Sequence, residues 1–175
     1  GTNGIITALR LATAPAVNWH QVSVDCDRWE QAIQLLQSVA VSALDLHLAT
    51  LLEQPLLSRL PSWGGPAMSA HRLLLLVAPD GLTSLQRIVD SAGATLRDLG
   101  PEDLMGGNGL RELSWNHTTL HVRASEPGWT YLQMLLPQPE APAVAALSQR
   151  WGDSLMWHLE VVRQQGCPRL AALPM

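Results

Sequence analysis

The densest apolar run of the sequence is Leu73-Leu74-Leu75-Leu76-Val77-Ala78, and it lies within a strand predicted over His71 to Pro79. Its length is that of one strand, and no apolar run of the chain approaches the roughly 20 residues that span a bilayer. Before it, Val17 to Cys26 alternates apolar with polar residues, which predicts a half-buried strand. Apolar residues then recur at helical spacing from Trp29 to Ala40, and Ala43 to Leu52 begins with strand-like alternation. A strand, a helix and a second strand therefore precede the apolar run.

A second unit of the same kind begins with the apolar run itself. A helical stripe from Leu85 to Leu96 is predicted to end at Gly100-Pro101, and the next strand is predicted over Trp115 to Arg123. Strand–helix–strand units in tandem are the split βαβ plan of ferredoxin-like folds.

A third unit extends the sheet. Strands are predicted over Tyr131–Leu136 and Leu155–Val162, a helix opens near Pro142, and a last strand lies near Arg169 to Leu173. We predict an α+β fold in which ferredoxin-like split βαβ units form one extended, mainly antiparallel sheet with helices on one face. The other face is expected to stay free of helices and to cover something else.

Composition describes an ordinary globular domain. The 175 residues are 47% apolar and 15% charged, enough for one domain or one and a fraction. Net charge is −4 and the arginines are scattered, so no basic stripe points to nucleic acid as a partner. Cys26 and Cys167 are too few and too far apart for a metal knuckle or a disulfide framework. Reduced thiols and the lack of a signal-peptide pattern indicate a cytoplasmic protein.

The face expected to be free carries the side chains that could do chemistry. Alternation over Leu155–Val162 sends His158 and Glu160 to that face, and the preceding strand sends Tyr131 there. One face of the strand predicted to close the second unit shows Trp115, His117, Thr119, His121 and Arg123. Imidazole, phenol and carboxylate groups are thus expected on neighbouring strands.

A metal shared by His117 and His121 is not expected. Residues four apart on a strand have Cα atoms roughly 13 Å apart, a gap that ligand bonds of about 2 Å cannot close. His158 and Glu160 are the only plausible further ligands. We predict no bound metal.

Two groups of residues resemble a known family. The opening Gly1-Thr2-Asn3-Gly4-Ile5-Ile6-Thr7 resembles the closing stretch of the FAD-binding domain in vanillyl-alcohol-oxidase-like flavoproteins. Segments of the C-terminal domain in a subset of these FAD-linked oxidoreductases are similar to Arg111–His121, Thr130–Gln133, Trp151–Asp153 and His158–Glu160. The family includes enzymes of the glycolate oxidase and D-lactate dehydrogenase type.

The resemblance implies a fragment of a longer flavoenzyme. Residues 1–14 would be the tail end of the FAD-binding domain, and residues 15–175 the C-terminal cap or substrate domain. The whole protein would oxidise a D-2-hydroxy acid or a related alcohol, a small-molecule substrate, by hydride transfer to FAD. An N-terminal domain outside this sequence would hold most of the FAD, with a remnant of its site at Gly1, Thr2, Gly4, Ile5 and Thr7.

The resemblance also suggests roles around His117. This histidine would be the base or an oxyanion donor, supported by His121 or His158. The substrate carboxylate would bind Arg111 or Arg123. Further substrate contacts would come from Trp115, Asn116, Tyr131 and Glu160. Each of these side chains also has a purely structural interpretation, as a hydrogen-bonded histidine, a paired arginine or a packed ring, and that interpretation stays open.

Two functions of other classes also remain open. One is a stand-alone ferredoxin-like module that binds a ligand or regulates, with the glycine-rich start acting only as a turn. The other is a structural interaction domain that docks a partner subunit through its open sheet face. A homodimer is compatible with each reading.

Overall fold

The computed structural model describes residues 4–60, 70–103, 109–115 and 117–175. Three of the predicted site residues, Gly1, Thr2 and Asn116, lie outside the described residues. The described residues form seven strands and five α-helices in this order: β1 His20–Cys26, α1 Trp29–Val41, β2 Leu46–Leu52, α2 Gln54–Leu57, β3 His71–Val77, α3 Leu82–Ala92, β4 Thr95–Pro101, α4 His117–Ser125, β5 Met134–Leu135, α5 Glu140–Trp151, β6 His158–Gln164 and β7 Cys167–Ala172.

All seven strands form a single sheet in the order β4-β1-β3-β2-β6-β7-β5. Every neighbouring pair in it is antiparallel. The apolar run forms β3, where His71 faces Cys26 and Val77 faces His20 of β1. The order β4-β1-β3-β2 is what two interleaved βαβ units produce. The predicted α+β fold with an extended antiparallel sheet is therefore confirmed.

One face of the sheet, the helix face, holds the larger core. Alternate residues of β1 and β3 point to it, and so do Trp157 and Leu159 at β6. The helices α1, α3 and α5 cover these side chains with their apolar stripes, whose buried members include Leu36, Leu85 and Val144.

The opposite face, called the second face below, is not free as the sequence analysis expected. A smaller core covers its centre, built on Leu74 and Leu76 of β3 and closed by α2, α4 and a 3-10 turn at Leu110–Leu113. The physical reason lies in β3, whose residues Leu73 to Val77 are all fully buried. A strand that is apolar at consecutive positions must be covered on both faces.

Two predicted elements were wrong. Helix α3 ends at Ala92, because Gly93 adopts the left-handed conformation with φ of 67°, and Thr95–Pro101 is the edge strand β4. The segment predicted as a strand from Trp115 to Arg123 is mostly helix α4. Its buried positions are 118, 119 and 122, which is helical spacing. Contact with the second face outweighs the strand preference of Thr118, Thr119 and Val122.

The segment before β1 has neither helix nor strand over residues 4–19. Ile5 and Ile6 are 91% and 79% exposed, and Leu9 and Leu11 are also in solvent. The predicted strand at Tyr131–Leu136 is reduced to Met134–Leu135. Within the described residues, no helix combines the length and apolar character that a bilayer crossing requires.

Candidate functional site

A buried polar network occupies the second face beneath α4. Its members are His158 and Glu160 from β6, Thr50 from β2, Thr118 from α4 and the backbone of Trp115. Alternation along β6 places His158 and Glu160 here as predicted, while Trp157 and Leu159 point to the helix face. The four side chains are almost completely buried.

Both ring nitrogens of His158 have hydrogen-bond partners inside the network. Its Nε2 lies 2.8 Å from Glu160 Oε1, and its Nδ1 lies 2.8 Å from Thr118 Oγ1. A neutral imidazole protonated on Nε2 satisfies both contacts, donating to the carboxylate and accepting from the hydroxyl. Because both ring nitrogens are engaged and the side chain is sealed, His158 positions its neighbours and does not reach a substrate in this arrangement.

Trp115 joins the network through its backbone. Its N–H donates to Glu160 Oε1, and the hydroxyl of Thr50 approaches the same oxygen at 3.5 Å. The backbone of Trp115 is in the left-handed region with φ of 53°, which is unfavourable for a residue other than glycine. Trp115 is 54% exposed, so the network holds the backbone of an exposed aromatic residue.

His117 begins α4 on the solvent side of this arrangement. Its Nδ1 is buried and lies 3.3 Å from Glu112 Oε2, but this contact does not meet hydrogen-bond geometry, and no described residue forms a hydrogen bond with Nδ1. The side chain is 44% exposed, so a ligand can reach the imidazole.

His121 follows His117 one helical turn later. On a helix, residues four apart are neighbours, with Cβ atoms roughly 5–6 Å apart, which corrects the wide separation expected for a strand. Across the described ranges, however, no three His, Cys, Asp or Glu side chains are grouped as a metal site would need.

The two candidate arginines differ in availability. Arg111 forms a forked pair with Glu102, with Nη2 2.8 Å from Oε2, and it also contacts His47. Its guanidinium is therefore already engaged. Arg123 is exposed in the last turn of α4. Tyr131 is partly buried against the smaller core.

The described part of the predicted cofactor segment is exposed. Gly4 has φ of 127°, and a Cβ added there would meet no atom within 4 Å. Ile5 and Thr7 are exposed beside it. An open backbone next to apolar side chains fits the contact that a dinucleotide would need.

A charged cluster on the second face was missed by the sequence analysis. Asp25 of β1 pairs with Arg72 of β3, with Nε to Oδ1 at 2.6 Å and Nη2 to Oδ2 at 3.1 Å. Arg97 of β4 donates to the same carboxylate. The available signal was Arg72, a charged residue inside the predicted apolar strand His71–Pro79, since such residues are almost never buried unless they are paired.

Burial also shifts the pKa values of other groups around the sheet. It raises the pKa of the Cys26 thiol to about 11, helped by Asp25 and Asp27. It also raises the pKa of Glu53, although the backbone N–H of Trp157 opposes that shift. The pKa of His47 is lowered by burial and by the Arg111 guanidinium, with Glu102 acting in the opposite direction.

Comparison with known proteins shows the fold. No family model matches the sequence, and no curated protein matches it. A solved structure of alkyldihydroxyacetonephosphate synthase superposes with a TM-score of 0.58 at 10% identity. The match covers 91% of this chain and 36% of that protein. The likeness is one of fold. This chain shares the fold of part of that structure and spans about a third of its length.

Proposed function

We propose that this chain is part of an FAD-dependent oxidoreductase. Residues 1–14 would end its FAD-binding domain, and residues 15–175 would form the C-terminal cap that covers the substrate. The observation that carries the proposal is the fold likeness, which takes in 91% of this chain but only 36% of a structure from the FAD-linked oxidase family. These two coverages are what we expect if this chain corresponds to one domain of a longer flavoenzyme.

The exposed segment before β1 supports the division at residue 14. Ile5, Ile6, Leu9 and Leu11 lie in solvent, although burial of each would contribute about 1.5–3 kcal/mol. Packing against a further domain would recover that energy. The open backbone at Gly4 lets a dinucleotide approach closely.

The proposed reaction is oxidation of a D-2-hydroxy acid or a related alcohol. FAD, when bound, would supply the hydride acceptor. His117 would take the hydroxyl proton, because its imidazole is accessible and Glu112 lies close enough to stabilise the protonated ring. Arg123 is better placed than Arg111 to bind the carboxylate, since Glu102 already occupies the Arg111 guanidinium.

The remaining predicted residues have supporting roles in this proposal. His158 and Glu160 would position the start of α4 through Thr118 and the Trp115 N–H. The exposed Trp115 ring, Tyr131, Asn116 and His121 would border the substrate.

The spectrum of the protein that carries this chain tests the proposal. A purified full-length product should absorb in the flavin bands and bleach when a D-2-hydroxy acid is added without oxygen. A folded but colourless product would falsify the flavoenzyme assignment. A yellow product that no 2-hydroxy acid bleaches would remove the substrate class alone.

A variant of the same protein tests His117. His117→Gln should slow flavin reduction by substrate about a hundredfold, as loss of a general base typically does. His20→Gln is the matched control, because His20 is a half-buried surface residue paired with Asp98. Equal rates in the two variants, with flavin content unchanged, would exclude His117 as the base.

A non-catalytic ferredoxin-like module is the second candidate. One observation favours it: both faces of the sheet carry a core, and both nitrogens of His158 are engaged, so the described residues leave no open sheet face of the kind expected. The colourless outcome of the first experiment is the result that this candidate requires.

A further inference from the structure

The second face carries a charged cluster separate from the buried polar network. It consists of Asp25, Arg72 and Arg97 and is called the Asp25 cluster below. Asp25 lies directly opposite Arg72 in the register of β1 and β3. Arg72 holds both carboxylate oxygens, and Arg97 adds a third contact to Oδ2.

The charges of the Asp25 cluster do not balance. Two guanidinium groups share one carboxylate, which leaves one net positive charge. Arg72 and Asp25 are buried, with side chains 1% and 7% exposed. The excess charge lies with Arg97, whose side chain is partly exposed, and an anion that contacts Arg97 would compensate it.

Two donors beside this cluster have no acceptor. In the part of the chain that the structure describes, Nη1 of Arg97 and Oγ of Ser23 are both buried without a hydrogen-bond partner. Ser23 is only 1% exposed. It lies directly opposite Arg97 in the register of β1 and β4, which places the two Cβ atoms about 5 Å apart. The unpartnered donors are therefore neighbours on the same face.

We propose that Arg97 and Ser23 form a binding site for an oxyanion, a carboxylate or a phosphate group. One oxygen would accept from Arg97 Nη1 and another from the Ser23 hydroxyl, while the charge of the anion offsets the excess of the Asp25 cluster. The Arg97 side chain is 28% exposed and sits on the edge strand β4, which gives the anion a way in. A water molecule would accept hydrogen bonds from the two donors but would not offset the excess positive charge of the Asp25 cluster. This inference does not depend on flavin chemistry.

Hydrogen–deuterium exchange of the whole protein that carries this chain tests the site without a mutation. Sodium acetate and sodium phosphate are titrated separately at constant ionic strength, with sodium chloride as the reference. Either oxyanion should slow exchange saturably in peptides covering β1 and β4 and leave those covering β6 and β7 unchanged. Absence of saturable protection, or equal protection by chloride, would overturn the proposal.

Variants then assign the donors by calorimetric titration with the oxyanion that protects. Arg97→Gln should weaken binding about tenfold or more, because it removes a charge-assisted donor. Ser23→Ala should weaken it about threefold. Arg87→Gln removes an exposed arginine on α3 and should leave the affinity unchanged. Wild-type affinity in both Arg97→Gln and Ser23→Ala would refute the site. If a variant does not fold, the exchange experiment on the wild-type protein decides whether the site binds an oxyanion.

Discussion

At residue 115 a tryptophan adopts a backbone conformation that favours glycine, and a buried carboxylate holds it there. The left-handed conformation costs roughly 1–2 kcal/mol for a residue with a Cβ. The hydrogen bond from the Trp115 N–H to Glu160 offsets that cost. His158 in turn keeps Glu160 in place. The buried polar network is thus a support for one exposed ring.

Removal of Glu160 tests this support. Glu160→Ala leaves the Trp115 N–H and His158 Nε2 without an acceptor, so we expect a loss of about 3 kcal/mol in the free energy of unfolding. Glu160→Gln retains an oxygen that can accept from both donors and should lose less than half as much. Urea denaturation measures both variants. Equal losses would show that the acceptor atom is not what stabilises this region.

His71 makes stability depend on pH. Burial lowers its pKa below the ordinary 6.5, with Glu30 opposing the shift, and its Nδ1 accepts the Gln54 N–H at 3.2 Å. The unfolded chain therefore binds the proton more readily. The contribution of His71 is fully present above pH 6.5 and is lost as the pH falls through the lowered folded value.

Denaturation experiments between pH 7 and pH 5 test whether stability falls with pH as predicted. The free energy of unfolding should fall by up to about 1.4 kcal/mol per pH unit for this one group. His71→Asn supplies an oxygen near the position of Nδ1 and should flatten the profile. A wild-type slope in His71→Asn would contradict the assignment. His47 has a lowered pKa as well, so some slope will remain.

Among the elements, helix α3 shows how one residue sets a boundary. The apolar stripe alone predicts a helix to Gly100, but Gly93 ends it with φ of 67° and its N–H bonded to Asp90 and Val89 carbonyls. Gly93→Ala should lower the free energy of unfolding by about 1 kcal/mol, because the strain is conformational. The added Cβ would meet nothing closer than 3.9 Å.

Gly128→Ala is the matched control for that substitution. Its added Cβ would meet no atom within 4 Å, and Gly128 is not among the positive-φ glycines. Thermal or urea denaturation should show little change. If Gly128→Ala lowers the free energy of unfolding as much as Gly93→Ala does, the left-handed backbone at Gly93 is not the cause of the loss.

Helix α4 shows where local pattern was misleading. Thr118, Thr119 and Val122 are residues that strands prefer, yet all three are buried by the helix in which they lie. The difference changes the candidate site, because His117 and His121 become neighbours on a helix instead of distant positions on a strand. The prediction failed since helix propensity is weak and the contact with the second face outweighs it.

At the scale of the whole molecule, the sheet joins a four-stranded ferredoxin-like half to the strands β6, β7 and β5. The join is the short pairing of β2 with β6, from Thr50 opposite Glu160 to Leu52 opposite His158. That pairing brings polar residues of the two halves together on the second face. The candidate site therefore depends on the sheet being continuous.

The sequence by itself determined the central strands of the sheet and two of the helices that cover it. Alternation in β1 and β6, the apolar run of β3 and the stripes of α1 and α3 are local signals, because side-chain direction follows directly from backbone period. Only the tertiary structure decided which polar groups meet. Asp25 and Arg72 are 47 residues apart, and Thr118 and His158 are 40 apart. Such pairs are set by strand register and by the packing of α4, which arise from contacts across the chain and leave no local pattern.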